Sequence, residues 1–266
     1  MTIHHSAEGY RSNADMYAAA RPGYPAEAVG TFAAEVGVRP GRRVLDLGAG
    51  TGKFTRQLVE LGASVSAVEP VEAMIERLRE TVPEADAHLA AAESLPFAAG
   101  TFDAAVAAQA WHWLDGPAVL TELERVLTED GALGLIWNAY DVAVPWVEKY
   151  YGIRYARASA DTPDHRSGTW RRAFEDRDGW LPLRVHRHTS VRPMSPAALE
   201  DLMLSSSVMG ALSEDQRQEV REEVRAVLAA DPATRGRDSV GLPYLTECWW
   251  TRRQPVRPGS AAPGSA

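Results

Sequence analysis

Cysteine, positive charge and long apolar runs are all scarce in this sequence. One cysteine among 266 residues, Cys248, excludes an internal disulfide and a cysteine-rich zinc cluster. No run reaches the roughly 18 apolar residues of a membrane span, and the start of the chain, MTIHHSAEGYRSNADMY, lacks the apolar core of a signal peptide. Lys and Arg number 28 against 36 Asp and Glu, and the net charge of −8 disfavours binding to nucleic-acid phosphates. We therefore expect a cytoplasmic protein that binds neither membrane nor nucleic acid.

The first half of the chain alternates short apolar runs with segments of helical periodicity. The predicted strands are RRVLDL, SVSAVEP, DAHLAAA, TFDAAVAAQA and GALGLIWN, and the predicted helices are KFTRQLVELG, EAMIERLRETV and GPAVLTELERVL. Asp115 precedes the last of these helices as a candidate N-cap. Strands separated by single helices need crossover connections, which predicts an α/β fold with a doubly wound, Rossmann-like, mostly parallel sheet.

The second half is less regular. It holds two further predicted strands, LRVHRHTSV and GLPYLTECWWTRR, and predicted helices at VPWVEKYYGIRYARAS, SPAALEDLMLSSS and SEDQRQEVREEVRAVLAA. We predict a single domain over residues 1–252, with a core at 40–138 and a tail of Pro, Gly, Ser and Ala at 253–266 that should be disordered.

Glycines occupy every second position where the first strand meets the first helix, in VLDLGAGTGKF. Ligands bind at the carboxyl ends of strands in open parallel sheets, so Gly48, Gly50 and Gly52 are candidates to pass beneath a ligand. A phosphate-binding P-loop would need glycine at 47 and Ser or Thr at 54, where Leu47 and Phe54 stand. A dinucleotide fingerprint would need glycine in place of Lys53. An ordinary tight turn is the remaining alternative.

An acid ends the second predicted strand about 20 residues beyond these glycines. At this spacing the carboxylate of Glu69 can accept both hydroxyls of a ribose. The alternative is that Glu69 is a solvated turn residue. Together with the glycine turn, the spacing favours a nucleoside ligand.

Five motifs in order now resemble one family. VLDLGAGTGKFTRQL, AVEP, AAAESLPF, FDAAVAAQAWHWLD and LTELERVLTEDGALGL are similar to the successive motifs of class I S-adenosylmethionine-dependent methyltransferases. The flanks YAAARPGYP and LPYLTECWW also resemble a small-molecule branch that includes trans-aconitate-methyltransferase-like proteins. The resemblance implies a seven-stranded sheet with an antiparallel last strand. It also implies an N-terminal helical cap at 10–38 and a helical insertion after strand five, at about 141–180.

The resemblance also implies which residues bind S-adenosylmethionine. The turn after strand one would hold the methionine part, the end of strand two the ribose and adenine, the segment before strand four the adenine edge, and the end of strand four the sulfonium. Two residues near the amino terminus would lie over the cofactor. The implied residues are Asp46, Gly48, Ala49, Gly50, Thr51, Gly52, Glu69, Pro70, Met74, Ala92, Glu93, Gln109, Ala110, Tyr17 and Arg21.

The stretch QAWHWLD lies where a methyl acceptor would enter, directly after strand four. Trp111 and Trp113 are candidate acceptor contacts because aromatic faces attract a cationic methyl group. His112 is the candidate general base, and the alternative is that it only packs and orients its neighbours. Tyr24 and Tyr140 are candidate pocket walls.

A run of arginines follows strand five. Because the planar guanidinium of arginine binds carboxylates, these arginines could hold an acidic methyl acceptor. The alternative is that they are solvated and paired with local acids. These arginines are Arg154, Arg157, Arg166, Arg171, Arg172, Arg184 and Arg187. His186 and His188 share a strand face but lack a nearby third ligand, so we expect no metal site.

The sequence thus predicts a methyltransferase that moves a methyl group to an oxygen, nitrogen or carbon of a small organic molecule by in-line displacement, as a monomer or homodimer. The alternatives are a nicotinamide-dependent oxidoreductase on a Rossmann fold and a non-catalytic S-adenosylmethionine-binding module.

Overall fold

The computed structural model describes residues 23–159, 162–175, 177–210 and 212–254. Its strands are β1 (Arg43–Leu47), β2 (Ser64–Glu69), β3 (Asp86–Leu89), β4 (Phe102–Ala108), β5 (Leu127–Tyr140), β6 (Arg184–Met194) and β7 (Val240–Arg252). They form one seven-stranded sheet in the order β3-β2-β1-β4-β5-β7-β6. Strands β1 to β5 pair in parallel, and β7 runs antiparallel to both β5 and β6. The predicted fold class is confirmed.

The helices are α1 (Ala26–Val36), α2 (Lys53–Glu60), α3 (Glu72–Thr81), α4 (Gly116–Val126), α5 (Pro145–Tyr155), α6 (Pro196–Leu204) and α7 (Glu214–Ala230). Short 3₁₀ helices lie at Trp111–Trp113, His165–Ser167, Thr169–Phe174 and Ser207–Met209. Asp115 caps α4 as predicted, since its side chain accepts the N–H of Ala118. Proline follows both Asp115 and Ser195 early in the first turn, where its missing N–H costs no helical bond.

Apolar layers cover both faces of the sheet. Successive residues of β1 belong to different layers: Val44 packs under α1 and α2, and Leu45 packs on the side of α4. Such two-sided burial is why the central strands read as continuous apolar runs. On the α1 side the helix approaches β5 so closely that a Cβ built at Gly134 would lie 2.3 Å from Phe32 Cζ.

Helices α5, α6 and α7 share a separate apolar cluster, which we call the cap. Trp146 and Tyr150 of α5 pack with Leu199 of α6 and Val220 of α7, all of them buried. Of the cap, the insertion predicted at 141–180 supplies only α5. The rest of the cap comes from the connection between β6 and β7, so two separate stretches of sequence build one layer above the sheet.

Several predictions concern the ends of the chain. Most of the segment predicted as an N-terminal cap, including Tyr17 and Arg21, lies outside the described residues, as does 255–266 of the predicted tail. Arg253 and Gln254 fall within that predicted tail but are held in place. Arg253 forms a β-bridge with Trp180, and the N–H of Gln254 donates to the carbonyl of Gly179 at 2.8 Å. Among the described helices, none is long and apolar enough to cross a membrane.

Candidate active site at the carboxyl ends of the strands

The turn after β1 has the left-handed backbone that its glycines predict. Gly48, Gly50 and Gly52 have φ of +62°, +57° and +84°, which side chains with a Cβ rarely adopt. A Cβ built at Gly48 would also lie 2.8 Å from the Cβ of Ala110. The turn therefore presents bare main chain at the edge of the sheet.

Asp46 lies beneath this turn and is fully buried. Its Oδ2 accepts the hydroxyl of Thr55 at 2.7 Å, whereas its Oδ1 is buried and bonds to no described residue. Burial raises the pKa of Asp46 to about 7; the hydroxyl of Thr55 opposes this shift and the charge of Glu69 adds to it. A buried carboxylate oxygen without a donor is costly, so the site is suited to a ligand that brings one.

Glu69 ends β2 beside the turn, 5% exposed. Its two oxygens accept the N–H groups of Gly50 and Val71, each at 3.0 Å. Burial raises the pKa of Glu69 to about 7 against the lowering effect of these two hydrogen bonds. Since each carboxylate oxygen has a second lone pair, the carboxylate keeps the capacity to accept two hydroxyls.

Gln109 is held in a left-handed conformation at the end of β4. Its φ is +57°, unusual for a residue with a side chain. Its N–H donates to the carbonyl of Ile136 at 2.9 Å, and its Nε2 donates to the carbonyl of Asn138 at 3.0 Å. Backbone strain fixed in this way is typical of functional sites.

A cavity extends from the glycine turn to the underside of the cap. The predicted residues that line it are Tyr24, Gly48, Ala49, Gly50, Thr51, Gln109, His112, Trp113 and Tyr140. Predicted residues that lie outside its wall are Asp46, Gly52, Glu69, Pro70, Met74, Ala92, Glu93, Ala110 and Trp111. The structure thus brings together the turn and the acceptor-side aromatic residues, while the predicted adenine contacts lie beyond the cavity.

The two tryptophans of QAWHWLD go to different places. Trp111 is 1% exposed and stacks on Phe174 with ring centroids 5.4 Å apart, so its ring belongs to the core and not to the cavity. Trp113 lines the cavity. Glu93 is also engaged elsewhere, since its Oε1 accepts the N–H of Asp115 at 3.0 Å.

His112 lines the cavity, and its Nδ1 accepts the indole N–H of Trp137 at 3.2 Å. An indole nitrogen can only donate, so Nδ1 carries no proton in this arrangement. The neutral ring then carries its proton on Nε2 and presents a donor there. The proposed role of His112 as a base stays a prediction, and this hydrogen bond favours a donor role.

Sequence reasoning missed several residues of the cavity wall, contributed by α5, α6, the segment 162–175 and β7. They include Tyr151, Asp164, His165, Met203 and Tyr244. Nothing in the sequence marks His165, a single histidine in a polar stretch without periodicity. Its position becomes meaningful only when the chain folds over the end of β5.

Of the arginines that follow β5, Arg154 and Arg166 line the cavity. The predicted pairing with local acids is not what the structure shows for two of the others. Arg157 pairs with Glu223 of α7 at 2.6 Å, and Arg187 pairs with Glu247 across the β6–β7 ladder at 2.7 Å. Arg154 also has an acid partner, Asp164, at 3.9 Å. Arg154 and Arg166 are the candidate acceptor contacts because they line the cavity.

Metal-binding groups are not assembled in the part of the chain that the structure describes: no three His, Cys, Asp or Glu side chains there lie close enough to hold an ion. His186 and His188 are neighbours on β6, with ring centroids 4.4 Å apart.

The order of the strands, the turn after β1 and the acid that ends β2 define an α/β protein whose glycine turn and buried acid lie at the topological switch point of the sheet, where ligands bind in folds of this class. Residues 45–135 match a family model described as a methyltransferase domain. An uncharacterized methyltransferase of Mycobacterium tuberculosis is 35% identical over 232 residues, which cover 87% of this chain and 90% of that one. The chain therefore belongs to the class I S-adenosylmethionine-dependent methyltransferases.

Solved structures share the fold. The structure of a putative type II methyltransferase from Anaeromyxobacter dehalogenans has a TM-score of 0.64 at 24% identity and covers 88% of this chain and 97% of its own. A Haemonchus contortus phosphoethanolamine N-methyltransferase, solved with phosphomonomethylethanolamine and S-adenosylhomocysteine, has a TM-score of 0.51 at 13% identity and covers 96% of this chain and 58% of its own.

Proposed function

We propose that the protein transfers a methyl group from S-adenosylmethionine to an oxygen, nitrogen or carbon of a small organic molecule held under the cap. The observation that carries this proposal is the continuous cavity, bounded at one end by Gly48 and Gly50 and at the other by Tyr151, Arg154 and Tyr244. One end suits the donor and the other suits an acceptor of limited size.

The residues at the donor end fit the cofactor. Asp46 and Glu69 lie next to the turn and not on the cavity wall. A ligand seated against the turn would bring an ammonium group to the unpartnered Oδ1 of Asp46 and ribose hydroxyls to Glu69, and the glycines of the turn carry no side chains to obstruct it. The cofactor supplies an electrophilic methyl group on a sulfonium when it is bound. The protein's own task is to align the acceptor with that methyl group and to exclude water.

The acceptor end is aromatic and charged. The guanidinium of Arg166 lies 5.0 Å from the centre of the Tyr151 ring, and Arg154 donates to the Tyr151 hydroxyl at 3.3 Å. Rings and fixed charges of this kind restrain a small planar or polar molecule. A cavity beneath a cap is not the extended basic surface that a nucleic-acid strand requires.

Ligand-induced stabilisation separates the proposal from its alternatives. S-Adenosylhomocysteine should raise the melting temperature of the purified protein and NADH should not, since anything that binds only the folded state stabilises it. The opposite pattern would favour a nicotinamide-dependent oxidoreductase. Transfer of labelled methyl groups into a panel of phenols, alcohols, amines and carboxylic acids would then separate an enzyme from a cofactor-binding module.

A further inference from the structure

Two histidines of the cavity wall contact Trp137, which is itself fully buried. His112 accepts the indole N–H at 3.2 Å, and His165 stacks on the indole face with ring centroids 5.5 Å apart and planes inclined by 12°. The two imidazole centroids are 5.9 Å apart. Both residues line the cavity, so one acceptor molecule can contact both rings.

Asp164 fixes the environment of His165. Its Oδ1 lies 3.5 Å from Nδ1 of His165 and accepts the N–H of Arg166 at 2.9 Å. Its Oδ2 accepts the hydroxyl of Tyr155. A carboxylate held at both oxygens in this way favours the tautomer of His165 that carries its proton on Nδ1.

The opposite nitrogen of His165 is left without a donor. Its side chain is 10% exposed, and Nε2 accepts no hydrogen bond from any residue that the structure describes. A buried nitrogen that lacks a hydrogen-bond donor is unfavourable, and a hydroxyl or amine of the methyl acceptor in the cavity would supply that donor.

Burial keeps the imidazole of His165 neutral. Burial lowers its pKa, and this effect outweighs the raising effect of Asp164 and Glu247, while Arg166 and Arg154 add to the lowering. A general base must be unprotonated at the working pH, so this direction suits the role.

We propose that His165, oriented by Asp164, is the general base of the methyl transfer. The inference rests on the proposed function. His165 takes the proton of the acceptor at Nε2 while the acceptor's lone pair forms the bond to the methyl carbon and the carbon–sulfur pair returns to sulfur. The imidazolium then releases its proton to water when the product leaves.

The protonation of the two rings is measurable without any acceptor. Long-range ¹H–¹⁵N spectra of the uniformly labelled protein, assigned with His165→Gln and His112→Gln, should show His165 protonated on Nδ1 and His112 on Nε2. Asp164→Asn should weaken the preference of His165 for the Nδ1 tautomer. A wild-type His165 protonated on Nε2 would overturn the assignment and leave the methyltransferase proposal standing.

Turnover of the acceptor panel tests the catalytic role. With a phenol, alcohol or amine, His165→Gln should lower kcat by about 10²-fold or more while the affinity for S-adenosylhomocysteine stays within about twofold of wild type. The wild-type kcat should rise with pH until His165 is deprotonated. This pH dependence should be absent in His165→Gln.

A second His–Asp pair serves as the matched control. His88 Nε2 lies 2.8 Å from Asp86 on β3, and His88 is not part of the cavity wall. His88→Gln should keep the wild-type kcat. The assignment of His165 as the base would be refuted by an equal loss of kcat in both variants, by an unchanged kcat in His165→Gln, or by turnover of carboxylic acids alone. If no acceptor turns over, the proposed function fails, and the spectra still decide the tautomer of His165.

Discussion

Gly50→Ala should weaken cofactor binding through a single added methyl group. Gly50 has φ of +57°, and a Cβ built there would lie 3.9 Å from Met74 Sδ with no closer atom of the described protein. Alanine therefore fits against the protein itself and narrows only the cavity that Gly50 lines. It also keeps the N–H that donates to Glu69.

The structure offers a control for the backbone cost. Gly100 has φ of +64°, a Cβ built on it would meet no heavy atom within 4 Å, and it is remote from the cavity wall. Gly50→Ala and Gly100→Ala should each lose about 1–2 kcal/mol of stability from the left-handed conformation alone. For a domain of this size, each kcal/mol should lower the melting temperature by roughly 2–4 °C.

The two variants should differ in their affinity for S-adenosylhomocysteine. Overpacking costs about 1–3 kcal/mol, so Gly50→Ala should bind about 5- to 150-fold more weakly than wild type, while Gly100→Ala should bind like wild type. Isothermal titration calorimetry at 25 °C measures both affinities. Equal affinity in the two variants would mean that no ligand lies against Gly50, and the reasoning about the glycine turn would fail.

Two further predictions concern stability. Gly134→Ala should lower the free energy of unfolding in urea by about 1–3 kcal/mol or more, because its Cβ would lie 2.3 Å from Phe32 Cζ. The control is Gly30→Ala in α1, whose Cβ meets no atom within 4 Å and which should leave the free energy of unfolding unchanged or raise it by up to about 1 kcal/mol. A comparable loss in Gly30→Ala would contradict the packing argument. The pKa of Asp46, raised to about 7, means that the folded protein holds a proton that the unfolded chain releases near pH 4. This contribution to stability is therefore present at low pH and is lost as the pH rises through 7. The free energy of unfolding of the ligand-free protein should fall by about 2–3 kcal/mol more between pH 5 and 8 in wild type than in Asp46→Asn, and parallel curves for the two proteins would show that Asp46 is not the titrating group.

The sequence alone determined the elements of the sheet and the adjacency of the glycine turn and Glu69. Short apolar runs separated by amphipathic helices leave little choice but a parallel sheet with helices on both faces. The carboxyl ends of β1 and β2 must then meet at one edge, so the turn of Gly48, Gly50 and Gly52 and the acid Glu69 could be placed together before any coordinates were known. Both inferences depend on local spacing.

The tertiary structure decided how the acceptor end is assembled. β7 lies in the sheet between β5 and β6, and the cap combines α5 with helices that follow β6 in the sequence. Both arrangements depend on contacts between segments far apart in the sequence, which no periodicity predicts. Trp111 and Trp113, two positions apart, point to the core and to the cavity because a 3₁₀ turn lies between β4 and α4. The pairing of His165 with Asp164, set against Trp137, exists only because residues 162–175 fold across the end of β5, where burial gives an otherwise ordinary histidine its chemistry.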